Sequence, residues 1–164
     1  MRPLWKYLGS FVIGGLLGAA VGFAAGIFVY PYIFLAGITA NEQLAGAETR
    51  TVIAQGSFIH ADPSDPVHYG KGSVTAYDGA IMLNGDFEVG PGPKYHVYLL
   101  PQAGITRSAE VEGKMFVDLG RLRAFKGSQV YPVPDGVDLR KYGSVVIWCE
   151  AFGVLISPAT LAFR

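Results

Sequence analysis

Cysteine is almost missing from this chain. Cys149 is the only one among 164 residues, so no disulfide can close within the chain, and a lone thiol in an exported domain is free, buried or bridged to another molecule. An excess of one charge sign is also missing, with 13 basic against 13 acidic residues and no block of like charge. Nucleic-acid binding normally needs a basic patch or stripe, and none is visible. Histidine is scarce, and His60, His68 and His96 lack the close pairing of a zinc or copper motif. After residue 41 there is no serine-nucleophile elbow, phosphate loop, helical zinc motif, internal repeat or long amphipathic helix. With no catalytic motif, the sequence leans away from an enzyme.

Apolar length is what the chain has in quantity. From Tyr7 to Asn41 no residue is charged, and Leu8 to Tyr30 alone exceeds the roughly 20 apolar helical residues that cross a bilayer. The run is longer than the roughly 7–15 residues of a signal-peptide core, so it reads as an uncleaved anchor although Ala45-Gly46-Ala47 resembles a cleavage site. Arg2 and Lys6 precede it, whereas Glu42 and Glu48 follow it. Basic flanks stay cytoplasmic. The chain therefore divides into a cytoplasmic N-terminus (1–6), a transmembrane anchor (7–38), a linker (39–52) and a periplasmic or extracellular β domain (53–164). Pro31 predicts that the regular span ends or kinks near Tyr30. Gly14, Gly18, Gly22 and Gly26 recur every fourth residue, a small-residue stripe suited to close helix packing and self-association.

Beyond the linker, short runs of Val, Ile, Tyr and Phe alternate with Gly, Pro, Asn and Asp, the pattern of an all-β antiparallel sandwich or barrel-like domain. Strands are predicted over 56–60, 72–77, 80–87, 95–100, 115–122, 129–132, 144–152 and 154–157. Asp78-Gly79 is a hairpin turn in this reading, and 138–142 forms one helical turn. Along 144–152, strand alternation places Val145, Ile147, Cys149 and Ala151 on one face and Val146, Trp148, Glu150 and Phe152 on the other. Cys149 then lies on an apolar face, where a thiol packs as a small hydrophobe with a raised pKa.

Ordered groups of residues carry a resemblance. They include Gly56-Ser57-Phe58, His68 with Gly72-Ser73-Val74, Gly85-Asp86-Phe87, Tyr95-His96-Val97-Tyr98-Leu99 and Val117-Asp118-Leu119-Gly120. Gly127-Ser128-Gln129-Val130-Tyr131 and Val145-Val146-Ile147-Trp148-Cys149 complete the set. Over 54–161 the chain resembles the DM-thirteen domain, a family named for electron transfer, most specifically at Tyr131 and Trp148-Cys149. The resemblance implies an extracytoplasmic β domain with one signature cysteine, here Cys149, in a redox role. Trp148, Tyr131 and His68 are supporting signature residues. It leaves the cofactor unknown: Cys149 acts either as a bare thiol or as ligand to a haem-like prosthetic group. The related architectures place this domain beside membrane cytochromes that this chain lacks, so any redox partner is a separate membrane protein. The competing reading is a ligand- or protein-binding module in which Cys149 is structural and the loops 61–71 and 102–112 recognise the partner.

Overall fold

The computed structural model describes residues 4–164. Residues 1–3, including Arg2 of the basic flank, lie outside the described residues. The apolar run folds as α1 (Leu4–Tyr30), about 40 Å long at 1.5 Å per residue. Tyr7–Leu35 is long and apolar enough to cross a membrane by length and composition. The proline effect falls where the sequence places it. Pro31 cannot continue the regular ladder, and Pro31–Leu35 winds as one wider π turn closed by Ala36 N–H donating to Pro31 O at 2.9 Å. The four glycines of the stripe meet nothing on their Cβ side, so that face of the helix is bare.

The rest is one continuous antiparallel sheet. In chain order its strands are β1 (Thr39–Asn41), β2 (Val52–Phe58), β3 (Gly70–Lys71), β4 (Ser73–Tyr77), β5 (Ala80–Leu83), β6 (Glu88–Val89) and β7 (Tyr95–Leu100). They continue with β8 (Val117–Arg121), β9 (Lys126–Pro132), β10 (Ser144–Cys149) and β11 (Val154–Phe163). The spatial order is β3-β6-β9-β5-β4-β2-β11-β10-β7-β8. The short β1, from the segment between helix and domain, adds to β9 in parallel. The sheet curls until β8 lies beside β9, where the Tyr131 hydroxyl lies 3.3 Å from Arg121 O. This is the all-β, barrel-like architecture predicted from the strand pattern, with its core inside the curl.

Departures from the predicted strands have local causes. The run 80–87 breaks after Leu83 because Asn84-Gly85-Asp86 makes a turn. There the Asp86 carboxylate accepts from Ser73 N–H at 3.0 Å and the Asn84 amide donates to Ser73 Oγ at 2.9 Å. At the β4–β5 hairpin only Gly79 takes a positive φ, of 76°. The final strand runs through Pro158, where the sequence predicts a stop. Proline is tolerated there because its carbonyl still accepts from Ile59 N–H at 3.0 Å while the Ser157 hydroxyl donates to Ile59 O at 2.7 Å, supplying the bond that the missing N–H would have made. β9 starts three residues before Gln129 because Gly127 lets β1 lie against it: φ is 85°, and a Cβ there would overlap Ala40 O.

A clamp joins the helix end to the domain. Glu42, just after β1, accepts two hydrogen bonds from the Arg123 guanidinium, each 2.6 Å, and one from Val130 N–H at 2.8 Å. The Arg123 contact holds its carboxyl below the usual range. Arg123 also lies over the Tyr131 ring, 4.3 Å from its centroid. Glu42→Ala is expected to lower stability by about 1 kcal/mol, the carboxylate being partly exposed. It should also speed hydrogen exchange at Val130 and in β1 while leaving β10 unchanged. Equal loss of protection across the sheet would show that Glu42 supports the whole fold and not this junction.

Candidate functional site around Cys149

β10 is buried on both faces, which explains its unbroken apolar run. Val145, Ile147 and Cys149 pack into the main core. Val146 and Trp148 join a second cluster with Tyr98 and Leu155. The alternation read from sequence therefore holds up to Cys149, the last residue of the strand. Beyond it the chain turns, with Gly153 N–H donating to Cys149 O at 2.9 Å. Ala151 and Phe152 are accordingly exposed and do not continue the strand faces.

Cys149 is 1% exposed. Its thiol donates to Pro93 O, with sulfur and oxygen 3.3 Å apart. Burial pushes the thiol pKa up, against the opposing pull of the Phe152 and Ala151 backbone N–H groups. At neutral pH the sulfur is thus held as the neutral thiol, the weakly nucleophilic form.

Directly across the ladder stands Tyr95, on the same face as Cys149. The Tyr95 ring packs edge-on to Phe125 at 5.7 Å. Its hydroxyl lies against Gly92, where any Cβ would overlap it. Burial, with the nearby Cys149 second, raises the Tyr95 phenol far above its ordinary range. A pocket of about 30 Å³ adjoins the thiol, walled by Tyr95, Gly92, Pro93 and His68, and roofed by Phe28 and Tyr32 from the helix. Phe28 stacks on Phe152 at 5.1 Å. The volume admits about one water. A haem needs a far larger site, so the residues around Cys149 do not fit a haem-like group bound at the sulfur.

The structure therefore brings His68 and Cys149 to one pocket, although their spacing in sequence gave no such sign. The His68 ring is occupied by the Asp65 carboxylate, which also accepts from Val67 N–H at 2.8 Å. These bonds, the His68 ring first, lower the Asp65 pKa to about 2. Trp148 faces away from the thiol into the second cluster. Tyr131 is fully buried and donates to Gln129 Oε1 at 2.9 Å. Gln129 in turn accepts from Arg123 N–H and donates to Ala124 O. Tyr131 and Gln129 thus pin the 121–125 loop. Burial raises the Tyr131 phenol to about 12.

A polar group gathers on the other face. Glu150 accepts from Tyr98 Oη at 2.7 Å and pairs with Lys94 at 3.0 Å. His96 lies between Glu150 (3.5 Å) and Asp118 (3.0 Å). The available signal was register: His96 and Tyr98 alternate along β7 on the face that Glu150 shares with Trp148. His96, Asp118 and Glu150 could together face a cation, but their ligand atoms already satisfy one another and Lys94.

A curled β domain with one cysteine buried at a strand end, attached to a long apolar helix, defines a class: helix-tethered, single-cysteine β domains. Within it, the chain belongs to the electron transfer DM13 family, whose profile matches residues 63–161. The match contains every element of the Cys149 pocket except the helix. No curated protein and no solved structure matches the chain.

Glu150→Gln tests the polar group. The Tyr98 phenol is raised by burial first and by the Glu150 contact second, so its pKa should fall in this variant, read as tyrosinate absorbance at alkaline pH. The Glu150 carboxyl is itself lowered, by Tyr98 and then Lys94. It therefore contributes stability above the ordinary glutamate pKa of about 4.3 that is lost as pH falls through its folded value. The variant should show a shallower loss of urea stability as pH falls from about 5 to about 2. An unchanged tyrosine titration would remove Glu150 from this network.

Proposed function

We propose that this protein is a single-pass membrane protein whose β domain passes electrons outside the cytoplasm, with Cys149 as the redox centre. The observation that carries the reading is the position of the thiol. It lies within the matched family region, beside the Tyr95 phenol, where the apolar helix meets the sheet. Membrane attachment rests on the length and composition of Tyr7–Leu35. The orientation rests on Arg2 and Lys6 before the apolar run against Glu42 and Glu48 after it.

Burial decides which chemistry suits this sulfur. Thiol–disulfide exchange needs an accessible thiolate, which Cys149 is not. One-electron transfer needs neither access nor a departing group. The sulfur gives up an electron to the acceptor and its S–H proton passes through the adjoining pocket, beside His68, to the solvent; reduction returns both by the same routes. The electron acceptor and donor are redox groups of a separate membrane protein. Enclosure also keeps oxidants from driving the sulfur down the path to sulfinic and sulfonic acids.

A second reading, a binding module with Cys149 as core filling, is favoured by the 1% exposure of the residue. Voltammetry of the purified full chain and of Cys149→Ala separates the two. The substitution removes one buried sulfur and should cost about 1–3 kcal/mol, leaving the fold intact by circular dichroism. The redox reading expects a reversible couple in the parent chain that is absent from Cys149→Ala. A parent chain with no couple, or a couple that survives the substitution, would overturn Cys149 as the centre.

A further inference from the structure

A cavity of about 450 Å³ opens between the end of α1 and the sheet. It is far larger than the pocket at Cys149 and shares with it only the wall formed by Gly92, Pro93 and Tyr95. Such a volume lies within the range of about 300–1,000 Å³ typical of small-molecule sites. Its helix side is apolar, from Ile27, Pro31 and Leu35, and Leu122 and Phe125 continue that surface onto the domain. The charged residues lining it are all cationic: Lys94, Arg121 and Arg123. Arg123 is committed to Glu42 and Lys94 faces Glu150. Among the described residues Arg121 has no carboxylate partner. Lys94 is also the only described non-glycine residue with a positive φ, of 52°, a conformation that non-glycine residues seldom adopt.

An apolar chamber continuous with a membrane-length helix, bordered by cations, selects an amphiphile with an acidic head. We propose that this cavity binds an anionic phospholipid from the leaflet around the C-terminal end of α1. One acyl chain lies against Leu122 and Phe125, and the phosphate meets Arg121. The proposal rests on the membrane reading of α1. Through the shared wall, the bound lipid would lie next to the loop that encloses Cys149.

The test uses the full chain in nanodiscs of phosphatidylcholine doped with phosphatidylglycerol carrying a photoreactive acyl chain, with labelled peptides mapped by mass. The matching phosphatidylcholine probe serves as control. Label is expected on α1 from both probes, and on the 91–95 and 121–125 segments about tenfold more from the anionic probe, as one charge-assisted contact provides. Arg121→Gln, at an exposed position, should abolish that excess and leave α1 labelling unchanged. Label confined to α1, or equal label of the domain by both probes, would overturn the lipid site while preserving the anchor. Absence of label from α1 as well would overturn the anchoring reading and the lipid site with it.

Discussion

Removal of one sulfur atom from water is the constraint on which this molecule's chemistry depends. Cys149 ends a strand buried on both faces, and three things close over it. The 91–95 loop supplies the Pro93 carbonyl, β7 supplies the Tyr95 ring, and the helix end supplies Phe28 and Tyr32. Each is held by something else. Gly92 allows the Tyr95 hydroxyl its place. Glu42 and Arg123 fix the segment that brings the helix down onto the domain. The thiol is therefore neutral and enclosed, and the electron is the reactant that can reach it most easily.

The same enclosure ties the apolar helix to the site. In many tethered domains a linker merely sets distance. Here the segment between helix and domain becomes β1 and pairs with β9, and the last turns of the helix line both the Cys149 pocket and the larger cavity. The helix is thus part of the site. A domain cut free of it would expose the pocket roof, and its thiol would have different surroundings from that of the full chain.

Much of this was legible in the sequence because it follows from period and punctuation. The alternation of Val145, Ile147 and Cys149 gave the buried face of the thiol. Pro31 gave the end of the regular helix, and the spacing of short β-rich runs gave an all-β domain. What was not legible depends on pairing between distant segments. That Tyr95 stands across from Cys149 is a matter of register. That His68 reaches the same pocket depends on the loop after β2, shaped by Asp65. The Glu150 network needed both the β7 register and the turn that ends β10. The passage of the last strand through Pro158 was not legible because it depends on a side chain, the Ser157 hydroxyl, bonding the Ile59 carbonyl in place of the missing N–H.

The most direct test of the account is the rate at which a small alkylating reagent modifies Cys149 in the full chain, folded and in denaturant, read by intact mass. The account predicts that the folded thiol reacts orders of magnitude more slowly than the unfolded one. It also predicts that Phe28→Ala, which removes part of the roof, speeds the folded reaction without unfolding the sheet. A folded thiol that reacts as fast as the unfolded one would contradict the enclosure of Cys149, and with it the proposal that electrons and protons reach this sulfur while larger reactants do not.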